Sequence, residues 1–141
     1  MQKIVIDTNV FVSGLIQRGF PYLIINDLFI EGKFDLCISD DLLQEYYLVL
    51  RRKKFNKYPD FTIRAETLIA DIETKSIKFS PTNKLTIISD KDDNKFLELA
   101  EESNADFLIT GNTNDFTIKK YKQTRIVTPK EYWENHKPIE Y

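Results

Sequence analysis

With one histidine, His136, and one cysteine, Cys37, in 141 residues, any hydrolytic chemistry in this sequence falls to carboxylates. Paired-imidazole acid–base work and a structural zinc site of soft ligands are both excluded. The acids of interest are Asp7, ending the run Lys3-Ile4-Val5-Ile6; Glu45, within a helical stretch; the cluster Asp90, Asp92 and Asp93; and Asp115. Four carboxylates brought to one place repel each other unless a cation stands between them. Oxygen donors select a hard divalent ion, so Mg²⁺ or Mn²⁺ fits better than a softer metal. Such an ion activates water and offsets the charge building on a phosphodiester under attack.

The elements that must position these acids are legible in outline. Lys3 to Ile6 is a short run rich in β-branched residues, as expected of a strand buried on both faces. It runs into Asp7-Thr8-Asn9, and in open α/β sheets ligands bind at the carboxyl ends of strands. Val10 to Ile16 is apolar and is read as broken at Ser13-Gly14. Pro21 opens a helix that closes at Gly32. Phe34, Leu36 and Ile38 alternate with Asp35 and Cys37 as a second strand.

Ser39-Asp40-Asp41 caps a helix through about Arg52, with Leu42, Leu43, Tyr46, Val49 and Leu50 on one arc and Glu45 at its edge. A further helix carries Phe61, Ala65, Leu68, Ile69 and Ile72. Ile77 and Phe79 mark a short extended segment before a loop. Ser89 to Asp93 opens a helix bearing Phe96, Leu97, Leu99 and Ala100. Ala105 to Thr110 is a strand stopped by Gly111, followed by a polar turn at residues 112–116. Arg125-Ile126-Val127 is a last strand, and Thr128-Pro129-Lys130-Glu131 starts a terminal helix. Strands alternating with helices predict a single α/β domain over residues 1–141 with a central, mainly parallel sheet.

Each acid also has a purely structural use. Asp7 could cap a loop, the cluster at residues 90–93 could serve a helix N-terminus and its dipole, and Asp115 fits a turn. Glu45 is the exception, because positions 48 and 49 hold Leu48 and Val49 rather than a base. Asp41 lies four residues before it, a like-charge pair costing roughly 0.2–0.5 kcal/mol. The helix gains nothing local from this acid.

Bulk properties narrow the setting. Hydrophobic residues at 42% and aromatics at 13% support a packed core. No run approaches the roughly 18 apolar residues of a membrane span, and Asp7 interrupts any secretory apolar region. A lone cysteine suits a reducing cytoplasm. The net charge of −2 does not advertise nucleic-acid binding, but the bases are unevenly placed.

Order and spacing over nearly the whole chain resemble the PIN domain family of metal-dependent ribonucleases. The match comprises the strand into Asp7-Thr8-Asn9, the helical Glu45, the segment Asp90-Lys91-Asp92-Asp93-Asn94-Lys95-Phe96-Leu97-Glu98-Leu99-Ala100, and Ala105-Asp106-Phe107-Leu108-Ile109-Thr110-Gly111-Asn112. It is most similar to the bacterial subgroup assigned as toxins of type II toxin–antitoxin systems. The resemblance implies a three-layer, Rossmann-like fold and Mg²⁺- or Mn²⁺-dependent hydrolysis of single-stranded RNA. Asp7, Glu45, Asp93 and Asp115 are then the catalytic, metal-holding acids, with a bound hydroxide attacking phosphorus in line. Thr8, Asn9 and Thr110 orient them, and Asp90 and Asp92 flank the third acid. Asn112 departs from the aspartate that many members carry there; its amide oxygen could ligate without adding charge. Implied partners are a cognate antitoxin and a second copy of the chain.

RNA contact falls to the run Arg51, Arg52, Lys53, Lys54 and Lys57, with a second group at Lys119, Lys120 and Lys122. Tyr58 or Tyr121 could stack on a base. The same bases could instead serve a helix C-terminus. Two rivals remain. An aspartyl-phosphate enzyme using Asp7 as nucleophile would want an aspartate where Asn9 stands, and a receiver-type phospho-acceptor would want its acidic pair near the N-terminus. A catalytically weakened PIN-fold module binding RNA or protein is the non-enzymatic alternative, and Asn112 favours it.

Overall fold

The computed structural model describes residues 1–88, 91–111 and 116–139, the side chains of Lys91 and Asp92 excepted. Its organising element is β1 (Lys3–Ile6), whose Ile4, Val5 and Ile6 are wholly buried. A strand covered on both faces needs apolar residues at every position, and the sequence supplies them. β1 pairs in parallel with β2 (Asp35–Ile38) on one side and with β4 (Phe107–Ile109) on the other.

Among the described residues six strands form one sheet, in the order β3 (Ile77–Lys78), β2, β1, β4, β6 (Thr124–Val127) and β5 (Lys120–Tyr121). β3 lies outside β2, and β6 outside β4, both in parallel. The chain therefore builds outward from β1 through β2 to β3, then crosses back to build the other half from β4. The direction reverses between β1 and β4, and in such sheets that crevice receives ligands.

Helices cover the sheet as the parallel topology requires. They are α1 (Thr8–Ile16), α2 (Phe20–Leu23, continued as a wider π-type turn over Ile24–Phe29), α3 (Asp40–Leu50), α4 (Phe61–Lys75), α5 (Lys91–Ser103) and α6 (Pro129–Glu131, continued over Tyr132–His136). Two expected N-caps are present: Ser39 accepts from the Leu42 amide at 3.2 Å, and Thr128 from that of Glu131 at 3.1 Å; the helix opening expected at Ser89 and Asp90 lies outside the described residues. Gly32, at φ +68°, closes the second helical stretch as read. No helix among the described residues is long and apolar enough to cross a membrane.

Two sequence readings are corrected. Ser13-Gly14 does not break the chain, because α1 runs through it. The glycine serves close packing instead, since a Cβ there would stand 2.5 Å from Ile25 Cδ1 and 3.4 Å from the Pro21 backbone. The second correction is that Lys120–Tyr121 forms a further strand, β5, antiparallel to β6. Its hairpin turns at Lys122 and Gln123 with Lys122 at φ 52°. Such turns favour Asn or Gly, so no turn signal advertises it.

The far end of the sheet is sealed by aromatics. Tyr132 packs edge-on against Phe34 and Phe107 and donates its hydroxyl to Gln2 at 2.6 Å. His136 lies against the Phe107 ring, and its carbonyl accepts from Gln2. Gln2 precedes β1, so the one histidine sits at the end of the sheet away from Asp7 and is structural.

Cys37, in the middle of β2, is fully buried, and burial pushes its thiol up to about 11. The thiolate is the reactive form. Native protein at pH 8 should therefore resist disulfide-exchange reagents for as long as it stays folded, and labelling with rising denaturant should follow global unfolding. Fast labelling of native protein would show instead that β2 opens locally.

Candidate active site

Asp7 follows the last residue of β1, where its amide still donates to the Ile109 carbonyl at 3.0 Å. The backbone then turns into α1, with Asp7 as the N-cap: its Oδ1 accepts from the Asn9 amide at 3.1 Å. Its Oδ2 accepts from Thr110 Oγ1 at 2.7 Å, and Thr110 is the residue just after β4. The side chains of two adjacent strand tips thus meet at the point where the sheet reverses. Asp7 is 4% exposed, Thr8 3% and Thr110 2%.

A cap alone does not account for an aspartate here. Ser39 after β2 and Thr128 after β6 perform the same turn into a helix with uncharged hydroxyls. Asp7 does it with a carboxyl that burial penalises. Burial raises its pKa from the ordinary 3.8, against lowering by the Thr110 and Asn9 hydrogen bonds, and the Glu45 charge raises it further.

Glu45 reaches the same place from α3. Its Oε2 accepts from Thr8 Oγ1, and its Oε1 pairs with Lys95 Nζ of α5. The next residue, Tyr46, is fully buried and donates its hydroxyl to the Ile6 carbonyl at 2.7 Å while its ring meets Phe11 edge-on at 5.1 Å. Consecutive residues of α3 are therefore fastened to positions 8 and 6, on either side of Asp7. The fastening fixes the rotation of α3 and with it the aim of Glu45.

The other acids stand differently. Asp93 lies half-buried early in α5. Asp90, Asn112 and Asp115 lie outside the described residues, as does the side chain of Asp92. Among the described residues no group of three or more Asp, Glu, His or Cys side chains is placed to hold a metal ion. What the fold brings together is the pair Asp7 and Glu45 with Thr8, Thr110 and Lys95. Asn9, the exposed neighbour, lines a cleft of about 290 Å³ with Asp7, Val10, Ser13, Pro21, Gly111 and Pro129.

Sequence reasoning misses two residues of consequence. Lys95 supplies the base that the helix around Glu45 lacks; the absence of a local partner is the signal, and a lysine from a distant helix answers it. Asn94 is buried and clamps the preceding loop, its Oδ1 accepting from the Ile88 amide and its Nδ2 donating to the Ile88 carbonyl, both at 2.8 Å.

The basic run divides by what each base touches. Arg51 makes a two-pronged pair with Glu66 at 2.7 and 3.0 Å and lies over the Tyr47 ring. It is therefore occupied in joining α3 to α4. Arg52, Lys53, Lys54 and Lys57 are exposed, Lys54 over Phe55 and Lys57 over Tyr58. Lys122 pairs with Glu101, whereas Lys119 and Lys120 are exposed.

This geometry can be set beside known proteins. Residues 3–114 match the PIN domain family. The chain belongs to that family. The PIN domain here is similar over 94% of its length to an uncharacterized protein, MJ1680, of Methanocaldococcus jannaschii, at 33% identity and covering 90% of that protein. Its fold is also similar to a chain in the crystal structure of VapBC2 from Rickettsia felis bound to a DNA fragment from their promoter. There the TM-score is 0.57 at 17% identity, covering 90% of this chain and 98% of the other. The three-layer α/β architecture expected from the sequence is thus the PIN fold.

The raised pKa of Asp7 has a consequence for stability. The folded chain holds that proton more tightly than the unfolded chain, so stability falls as pH rises from 3.8 through the raised folded value. Metal-free Asp7→Asn protein should therefore melt above wild type at pH 7, and the gap should close below about pH 4. Thermal melts in EDTA across pH 3–8 check this; a variant that melts lower at pH 7 would show that the carboxylate is net stabilising.

Proposed function

We propose that this PIN domain is a metal-dependent endoribonuclease that hydrolyses phosphodiester bonds of single-stranded RNA, as the toxin of a type II toxin–antitoxin system. The observation carrying this reading is a buried carboxyl at the β1–β4 reversal, coupled in charge to Glu45 from a separate helix. Family membership supports nuclease chemistry, and the likeness to VapBC2 supports the toxin role with a cognate antitoxin as partner. A dimer of this chain and a cytoplasmic setting belong to the same proposal.

The donors are hard oxygens of like charge, which fits Mg²⁺ or Mn²⁺. Asp7 and Glu45 would hold the ion, with Asp93 and Asp115 completing the set. When bound, it would supply an activated water and offset charge on the attacked phosphodiester. The chain's own groups do the aiming. Thr110 fixes the plane of the Asp7 carboxyl, Thr8 fixes Glu45, and the exposed Asn9 stands where substrate enters. Arg52, Lys53, Lys54 and Lys57 are the bases open to phosphates; Arg51 would contribute through packing.

Labelled single-stranded RNAs incubated with Mg²⁺, Mn²⁺ or EDTA give the decisive assay. Wild type should cleave only with metal. Asp7→Asn and Asp93→Asn should lose more than about 100-fold while folded, and Thr110→Val, which only orients a ligand, about 10–100-fold. Metal-independent cleavage, or full activity in Asp7→Asn, would refute the assignment. RNA retention without cleavage under any metal would favour the binding module instead.

Substituting Arg52, Lys53 and Lys54 together by alanine should weaken RNA binding and flatten its salt dependence, by about 0.7 in log–log slope for each phosphate that the variant no longer neutralises. An unchanged slope would place the RNA elsewhere.

A further inference from the structure

The Lys95–Glu45 pair differs from the other ion pairs of the described residues. Its side chains are 25% and 21% exposed, against 55% and 79% for Lys78–Asp40 and 49% each for Arg51–Glu66. Lys122–Glu101 covers its acid, but its lysine is 61% exposed. Covering an ammonium is costly unless it is paired, and here it is drawn inward across two helices to a carboxylate that touches the catalytic region. Glu45 has both oxygens engaged, one by Thr8 and one by Lys95.

The ammonium thus stands on a carboxylate that the metal reading of this site assigns to a divalent ion. Two cations held on one carboxylate in a partly covered site repel each other strongly. We propose that Lys95 is the resident counter-ion of Glu45, a positioning residue that competes with the divalent cation for this carboxylate. Metal loading then works against the Lys95–Glu45 contact. Without metal, Lys95 keeps Glu45 aimed at Thr8 and blunts its repulsion of Asp7. The inference rests on the metal-centre reading and adds to it: affinity for the ion is set by a lysine that never ligates it.

The experiment measures Mn²⁺ binding to the full chain by the loss of free-ion paramagnetic resonance signal. It uses wild type, Lys95→Met, Lys95→Arg and Asp7→Asn, with circular dichroism as the check of folding. Lys95→Met should bind Mn²⁺ about tenfold or more tightly than wild type, and its melting temperature without metal should fall. Lys95→Arg, whose fork grips a carboxylate in two places, should bind Mn²⁺ no more tightly than wild type. A merely structural lysine would lower the melting temperature without moving the Mn²⁺ midpoint, and that result would overturn the proposal. Should Lys95→Met fail to fold, Lys95→Gln and the Mn²⁺-induced rise in melting temperature give the same comparison. Wild-type binding that Asp7→Asn abolishes but Lys95→Met leaves unchanged would overturn the counter-ion role alone. No Asp7-dependent binding in wild type would overturn the metal centre and the counter-ion role with it.

Discussion

The carboxyl of Asp7 is buried at the tip of the central strand, and much of the surrounding structure follows from holding it there. A buried acid is tolerated only if its oxygens are bonded and its charge is answered. One oxygen is met by the Asn9 amide at the start of α1, where the helix dipole favours negative charge. The other is met by the Thr110 hydroxyl, which exists at that spot only because β4 lies beside β1 in register, Ile6 opposite Ile109. Slipping that register by one residue would exchange the faces of β4 and take Thr110 away. The parallel pairing is therefore both the core of the fold and the first requirement of the site.

The second requirement is the placement of α3. Burial of Leu42, Tyr46, Val49 and Leu50 brings that helix onto the sheet, but apolar contact does not fix its rotation well. The Tyr46 hydroxyl on Ile6 and Glu45 on Thr8 do, because hydrogen bonds are directional where packing is not. The same helix thus contributes core from one arc and chemistry from the arc's edge, and the boundary between the two roles falls between residues 45 and 46.

What is legible in the sequence is whatever is written locally. β1 announces itself by four residues, and Asp7 by ending them; Ser39 and Thr128 are recognisable caps because the cap and the amide it serves are three residues apart. Glu45 stands out through a local deficit. Lys95 does not, because its partner is fifty residues away and the pairing depends on how α5 is rotated against α3. Gly14 misleads for a related reason: a glycine signals a missing side chain, and only the neighbour, Ile25, shows whether that space serves a break or a close approach. β5 is two residues long and gains its pairing from β6, so neither periodicity nor turn chemistry marks it.

The rotation of α5 has its own local cause. Asn94 holds the backbone of Ile88 with both ends of its amide, and Ile88 is itself buried. A donor and an acceptor engaged on one peptide leave the side chain a single orientation, which sets the first turn of the helix. Residues one position to either side then point about 100° away from it in opposite senses. Asp93 and Lys95 are those residues, so with Asn94 turned to the buried loop an acid and a base leave the helix on opposite sides. Lys95 thereby meets Glu45 of α3. Burial of Phe96, Leu97, Leu99 and Ala100 holds the same rotation from the apolar side of the helix. The polar side chain at this buried position is a device for aim, in the same sense as Tyr46 on the opposing helix.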